Sequence, residues 1–426
     1  MSALFLLLAL FIFLLLGVPI AVALGLASVS AMLLFGDQTL LSMAQKFIHT
    51  MQVYPLLALP FFILAGAFMT TGGVARRMIA FANALVGHLR GGLAMAALLS
   101  CAFLAAVSGS SPATVVAVGS VMIAGMVQSG YSKRFASGVI CNAGTLGILI
   151  PPSLVMVVYG AITESSVGRL FIAGILPGIV LTLAMMAVVM VIARHQNLPA
   201  QEPADLKTIL RTFREALWGL LLVIIILGGI YAGVFTPTEA AAVSAVYAFL
   251  IAVFVYKDIG IRDVPRVLVD GARVTCMLLF IIANAYMFAF LLTTEQIPQL
   301  ASEWITGLGL PAWGFLLVLN VMLLVAGNFM EPTSVLLILT PIIFPVALDL
   351  GIDPIHLGVL MIINMQIGLV TPPVGLNLFV TAGVADMTLE EVIRASLPWL
   401  LILLAVLLLI TYVPWISLVI PNLLLN

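Results

Sequence analysis

The chain is a succession of apolar runs interrupted by a single hydrophilic linker. The apolar segments lie at roughly 3–35, 53–70, 93–107, 113–128, 135–162, 169–193, 216–233, 238–256, 268–292, 312–326, 333–348, 355–385 and 389–415. The linker runs from Arg194 to Glu215, holds Pro199 and Pro203, and splits the chain into near-equal halves. An α-helical crossing takes about 20 apolar residues, so the chain is long enough for on the order of ten crossings. Only 8% of the residues are charged, which cannot make a water-facing surface and excludes a soluble enzyme. A hydrophobic content of 64% excludes disorder as well. A net charge of −1 leaves a lipid bilayer, not nucleic acid, as the partner of this surface. Cys101, Cys141 and Cys276 lie far apart in apolar runs, with no spacing that suggests a metal or a disulfide framework.

The N-terminus begins without Lys or Arg, unlike a secretory signal, so residues 3–35 read as a first transmembrane helix kinked at Gly17-Val18-Pro19. Basic residues cluster at Arg76/Arg77/Arg90, Lys133/Arg134, Arg194–Arg214 and Lys257–Arg273, with Lys46 as the main outlier. Positive loops face the cytoplasm. The N-terminus and the Lys133/Arg134 turn are therefore expected inside, and the Asp349–Asp353 turn outside. The short pairs 93–107/113–128 and 312–326/333–348 would then enter from opposite faces as re-entrant hairpins.

The halves repeat at an offset of about 220 residues. Pro112 pairs with Pro332, Gly130 with Gly351, Gly138-Val139 with Gly358-Val359 and Gly147 with Gly368. Pro151-Pro152 pairs with Pro372-Pro373, and Pro177 with Pro398. Such an ordered series at nearly one offset, in opposite orientations by charge, predicts an inverted-topology repeat. Paired Gly/Pro-interrupted segments in two such halves point to a transporter binding site.

The first hairpin tip reads Val107-Ser108-Gly109-Ser110-Ser111-Pro112-Ala113-Thr114. Ser111 is expected as N-cap and Pro112 as the first helical residue. The N–H groups of that helix end would attract an anion, and the carbonyls of the preceding helix a cation. The alternative is an ordinary Ser-rich turn between two spans. The second tip reads Gly327-Asn328-Phe329-Met330-Glu331-Pro332-Thr333-Ser334. An acid in the membrane is a functional candidate, so Glu331 either binds a cation or gates, or merely caps the next helix. Proline cannot donate to the carbonyl four residues back. Pro151 and Pro372 are thus expected to free the carbonyls of Gly147 and Gly368. Asn142, Thr145, Ser153, Asn364, Gln366 and Thr371 lie around these breaks and complete a candidate Na⁺ cage. Simple structural kinks are the alternative.

Other residues read as structure. Thr236-Pro237-Thr238-Glu239 has the pattern of a capping box. His49, His88, His195 and His356 share no ligand spacing, and Ser108 and Ser110 have no base nearby in sequence. Trp218, Trp304, Trp313, Trp399 and Trp415 suit interfacial belts, and 298–308 an amphipathic surface helix.

At these tips and breaks the chain resembles a known family. Ala106–Thr114, Gly147-Ile148-Leu149-Ile150-Pro151-Pro152-Ser153, Gly233–Ala242, Glu331-Pro332 and Gly368–Asn377 are similar to motifs of the large membrane subunits of tripartite ATP-independent periplasmic (TRAP) transporters. The resemblance extends over nearly the whole chain. It implies an all-α polytopic, inverted-repeat, elevator-type secondary transporter with two re-entrant hairpins and two broken helices, not an enzyme. On this reading residues 1–52 form a first helix and arm, and 53–193 the first repeat with hairpin 93–128 and broken helix 135–162. Residues 194–267 form the cytoplasmic linker and scaffold helices. Residues 268–426 form the second repeat with hairpin 312–348 and broken helix 355–385. The resemblance implies Na⁺ as coupling ion and no organic cofactor. It also implies a small four-helix membrane subunit, expected as a separate chain, a periplasmic substrate-binding protein, and a bacterial inner membrane. Organic acids would be the substrates, C4-dicarboxylates first. One Na⁺ is expected at Ser108, Ser110, Asn142, Thr145 and Gly147, and a second at Gly327, Asn328, Gly368 and Thr371. Ser111, Thr114, Ser153 and Thr333 would face the substrate. A stand-alone carboxylate carrier, a non-transporting scaffold and an intramembrane hydrolase are the alternatives. A channel fits less well, because paired inverted hairpins suit alternating access.

Overall fold

The computed structural model describes residues 2–35, 40–71, 73–307 and 309–424, which are helical with no strand among them. Among the described residues, eight helices are long and apolar enough to cross a membrane. A ninth span results if Lys133–Leu149 and Leu154–Thr163, bent by 40°, count as one.

Residues 3–35 do not form one kinked span. Helices Ser2–Leu15 and Ile20–Phe35 fold back on each other and bring the Phe5 and Phe35 rings to 5.2 Å. One continuous helix would hold these rings about 45 Å apart. Gly17 takes φ +77, its N–H donates to the Leu14 carbonyl, and the Val18 N–H donates to that of Phe13. That pair of bonds is a Schellman motif, which ends a helix, and Pro19 follows it.

One group of helices surrounds Ala58–Thr71, which packs between Pro237–Leu250 and Val264–Thr294. Ile20–Phe35 lies against Val264–Thr294, and Leu206–Tyr231 lies against Val74–Val86. The capping box holds as read: the Glu239 N–H donates to Thr236 Oγ1 at 3.3 Å, and the Thr236 N–H to Glu239 Oε2 at 2.8 Å. The helix at 206–231 starts ten residues before the apolar run at 216. Asp205 Oδ1 accepts the Thr208 N–H at 3.2 Å, so half of the linker is already helix.

A second group holds the helical hairpins, Gly92–Ser108 with Ser111–Gln128 and Ala312–Gly327 with Pro332–Asp349. Packed with them are two interrupted helices. The first is Lys133–Ala143, Leu146–Leu149 and Leu154–Thr163; the second is Pro354–Gly368 and Leu376–Ala385. Both interruptions carry a cis Pro-Pro bond, at Pro151-Pro152 and Pro372-Pro373. The matched glycines do matched work. Gly130 and Gly351 turn the chain after each hairpin at φ +92 and +74. Gly138 lies against the Ala395 backbone and Trp399, and Gly358 against Tyr159. Pro177 and Pro398 both sit inside the helix that follows each interrupted helix, Val167–His195 and Leu389–Tyr412.

Trp399 departs from the interfacial expectation. It is buried against Phe135 at 5.7 Å, whereas Trp218, Trp313 and Trp415 are exposed. Its place opposite Gly138 explains this, since only a residue without Cβ leaves room for the indole. The side chain of Trp304 and all of Leu308 lie outside the described residues.

Candidate functional site

The tip of the first hairpin is built from its own hydroxyls. Gly109 takes φ +59 and Ser110 is extended. Ser110, not Ser111, is the N-cap, and Pro112 is the second helical residue. The extended φ/ψ of Ser110 sets that boundary, and its carbonyl already accepts the Thr114 N–H at 3.1 Å. The Ser110 side chain makes no cap bond. Instead Thr114 Oγ1 donates to the Ser110 carbonyl at 2.9 Å and lies 3.0 Å from Ser108 Oγ.

The first break presses against this tip. A Cβ on Gly147 would stand 2.8 Å from the Ser110 carbonyl oxygen and 3.0 Å from Ser111 Cα. Thr145 Oγ1 donates to the Asn142 carbonyl at 2.6 Å. The Asn142 amide nitrogen donates to Gly138 O at 2.9 Å and to Ser396 Oγ at 2.8 Å. A carbonyl accepts only from the nitrogen, so Asn142 Oδ1 faces the other way, buried and without a donor among the described residues.

The second tip and break repeat this contact through backbone alone. A Cβ on Gly368 would meet the Gly327 carbonyl carbon at 2.6 Å and its Cα at 2.7 Å. Asn328 Oδ1 is buried beside it and likewise without a partner among the described residues. Thr371 Oγ1 bonds back to Ile367 O at 2.6 Å. The Gly368 carbonyl is not freed as expected: the Thr371 N–H donates to it at 3.2 Å, because the helix tightens by one residue before Pro372.

Glu331 occupies the N-cap position of Pro332–Asp349, but its carboxylate caps no backbone N–H. It accepts the Ser334 hydroxyl at 3.2 Å. The cap alternative is thus not the geometry adopted.

Both tips open on one cavity of about 350 Å³. Ser108–Ala113 form one wall and Glu331, Pro332 and Thr333 another; Gly66, Thr70 and Asp270 come from the first group of helices. Ser111 and Thr333 line this space. Thr114 stands behind the tip, and Ser153 caps Leu154–Thr163 by accepting the Met156 N–H at 3.4 Å. Among the described residues the lining carries two carboxylates, Asp270 and Glu331, and no Lys, Arg or His. Asp270 lies 3.7 Å from Arg273 on an exposed helix turn.

Asn377 is the residue that sequence reasoning passed over. It follows the second Pro-Pro, yet its amide nitrogen donates to Ser111 Oγ at 2.7 Å and to Cys141 O at 3.4 Å. One side chain of the second half thus ties the tip and the broken helix of the first. A lone amide in an apolar segment was its only signal; the partner 266 residues away was not.

The family described as "Tripartite ATP-independent periplasmic transporter, DctM component" matches residues 7–416. The chain is 61% identical to a Pseudomonas aeruginosa protein named C4-dicarboxylate TRAP transporter large permease protein DctM, over 99% of both chains. Proteins of the same name from Vibrio cholerae and Rhodobacter capsulatus are 53% and 50% identical, covering 96% and 100% of this chain and 95% and 100% of theirs. In fold the chain is similar to the Alcanivorax borkumensis YdaH transporter, with a TM-score of 0.65 at 16% identity over 89% of this chain and 88% of that one. A family match over nearly the whole length and relatives at these identities lead to one conclusion: the chain belongs to the DctM family, the large permease subunits of TRAP transporters, and is a multi-pass transporter subunit, not an enzyme.

Proposed function

We propose that this permease imports C4-dicarboxylates, driven by Na⁺, with its two hairpins and two broken helices moving as one elevator body. The meeting of both tips and both breaks at one cavity carries the reading. The substrate class rests on the three relatives named for it. Ser111 and Thr333 bind the substrate, with Thr114 and Ser153 holding the helix ends behind them. Ser108, Ser110, Asn142, Thr145 and Gly147 hold one Na⁺. Gly327, Asn328, Gly368 and Thr371 hold the second.

Electrostatics makes the ions necessary. A carboxylate about 5 Å from an ionised Glu331 meets repulsion of about 3 kcal/mol at an effective dielectric near 20. Among the described residues no basic side chain lines the cavity to offset it. Na⁺ at the breaks supplies positive charge, and the helix N-terminus starting at Ser111 supplies N–H donors.

Two inverted repeats within a bacterial inner membrane, the N-terminus in the cytoplasm, are supported by the matched Gly and Pro positions and by the basic loops. A small four-helix subunit and a periplasmic binding protein complete the transporter. Labelled succinate uptake into proteoliposomes with an inward Na⁺ gradient tests the proposal. It should require Na⁺, the small subunit and the binding protein. Na⁺-driven uptake indifferent to the binding protein would favour a stand-alone carrier.

A further inference from the structure

A second cavity, of about 730 Å³, lies on the far side of the tips. Three helices line both cavities. On Val264–Thr294, residues 270–278 face the tip cavity and 285–293 the second. On Pro332–Asp349 the step is from Thr333 to Leu337, and on Leu154–Thr163 from Val155 to Gly160. At 1.5 Å per residue, only about 6–10 Å of packed helix separates the two spaces. The tip cavity takes the half of Val264–Thr294 beside the basic cluster Lys257–Arg273; the second cavity takes the other half.

This second space has the chemistry of an anion site. Lys46, an exception to the pattern of basic loops, lines it, with His49 and Thr50 one turn further along the same helix. The Lys46 ammonium sits 5.0 Å over the Phe290 ring, held beside the opening. Deeper in, Tyr286 OH and Thr340 Oγ1 are buried hydroxyls without a partner among the described residues. Leaving each unpaired costs about 1–3 kcal/mol, so both call for a ligand acceptor. Glu164 stands in the same lining and opposes tight binding of an anion.

We propose that this cavity is a receiving vestibule for organic carboxylates. Lys46 is the counter-ion there, Tyr286 and Thr340 are donors, and Glu164 keeps the anion loosely held for passage to the tips. The inference rests on the transport reading for its direction only. The test uses the full chain carrying Thr293→Cys on a Cys276→Ala background, in phosphatidylcholine vesicles without Na⁺. Thr293 lines the vestibule and is exposed. Modification by an anionic methanethiosulfonate should be slowed by millimolar succinate. Lys46→Met should remove that protection about tenfold, Lys46→Arg should keep it, and Glu164→Gln should strengthen it. Tyr286→Phe should weaken it. Succinate that fails to protect, or protects equally in Lys46→Met, would overturn the vestibule. Na⁺-driven uptake by the same chain, co-reconstituted with the small subunit and the binding protein, separates the two readings. Protection without uptake upholds the vestibule and sinks the transport proposal; uptake without protection does the reverse.

Discussion

Replacing Gly368 by alanine tests the tip-to-break contact with the smallest possible change. The new Cβ would stand 2.6 Å from the Gly327 carbonyl carbon and 2.7 Å from its Cα and oxygen. Ordinary contacts begin near 3.4 Å, so the tip must retreat by about 0.8 Å (3.4 less 2.6). The obstacle is backbone on both sides, and no flexible side chain can yield. Overpacking of this kind costs about 1–3 kcal/mol, which a large buried core tolerates without unfolding. A binding site displaced by about 1 Å loses on the order of 100-fold in rate. Gly368→Ala should therefore fold, with a thermal midpoint close to the parent, while its Na⁺ half-saturation rises at least tenfold and uptake falls by one to two orders of magnitude (about 1.4–2.7 kcal/mol). Gly125→Ala is the control, since a Cβ there meets nothing within 4 Å. It should transport normally. The assay is initial-rate succinate uptake in proteoliposomes against external Na⁺, with tryptophan fluorescence melting alongside. A Gly368→Ala protein whose Na⁺ dependence matches the parent within twofold would refute the reasoning.

Gly147→Ala should behave likewise, because its Cβ meets the Ser110 carbonyl oxygen at 2.8 Å; normal uptake would remove the first ion site. Glu331→Gln should raise the Na⁺ half-saturation about tenfold by removing one charge, and an unchanged Na⁺ titration would leave Glu331 as a helix-start residue only. Asn377→Leu breaks the bond to Ser111 Oγ and should raise the succinate KM more than it lowers expression; equal loss of both would make it purely structural. Thr236→Ala removes the capping box and should cost about 1 kcal/mol in the melting profile without changing KM.

The architecture was legible where glycine and proline punctuate apolar runs. Hairpin boundaries, both breaks and the Thr236 cap follow from local backbone chemistry, which acts within a few residues. At Gly17-Val18-Pro19 the expected kink is a helix end, because Gly17 takes φ +77 and closes a Schellman motif, whereas a kink needs the helix to continue. The N-cap of the first tip lies one residue earlier than expected because Ser110 is extended and its carbonyl accepts the Thr114 N–H, which makes Ser111 the first helical residue. The Gly368 carbonyl, expected to be free before Pro372, is taken by the Thr371 N–H through a tighter turn. What stayed hidden was contact across the halves. Asn377 meeting Ser111, Trp399 filling the space over Gly138, and Asp270 entering the tip cavity depend on packing between segments more than 100 residues apart. A periodicity argument carries no information at that range.

The most direct test of the account is a structure of the permease with its partners, solved in the presence of Na⁺ and succinate. The account predicts succinate in the cavity between the tips, its carboxylates on Ser111 and Thr333, with one Na⁺ beside Gly147 and another beside Gly368. Succinate bound away from both tips, or breaks that hold no ion while substrate is bound, would contradict it.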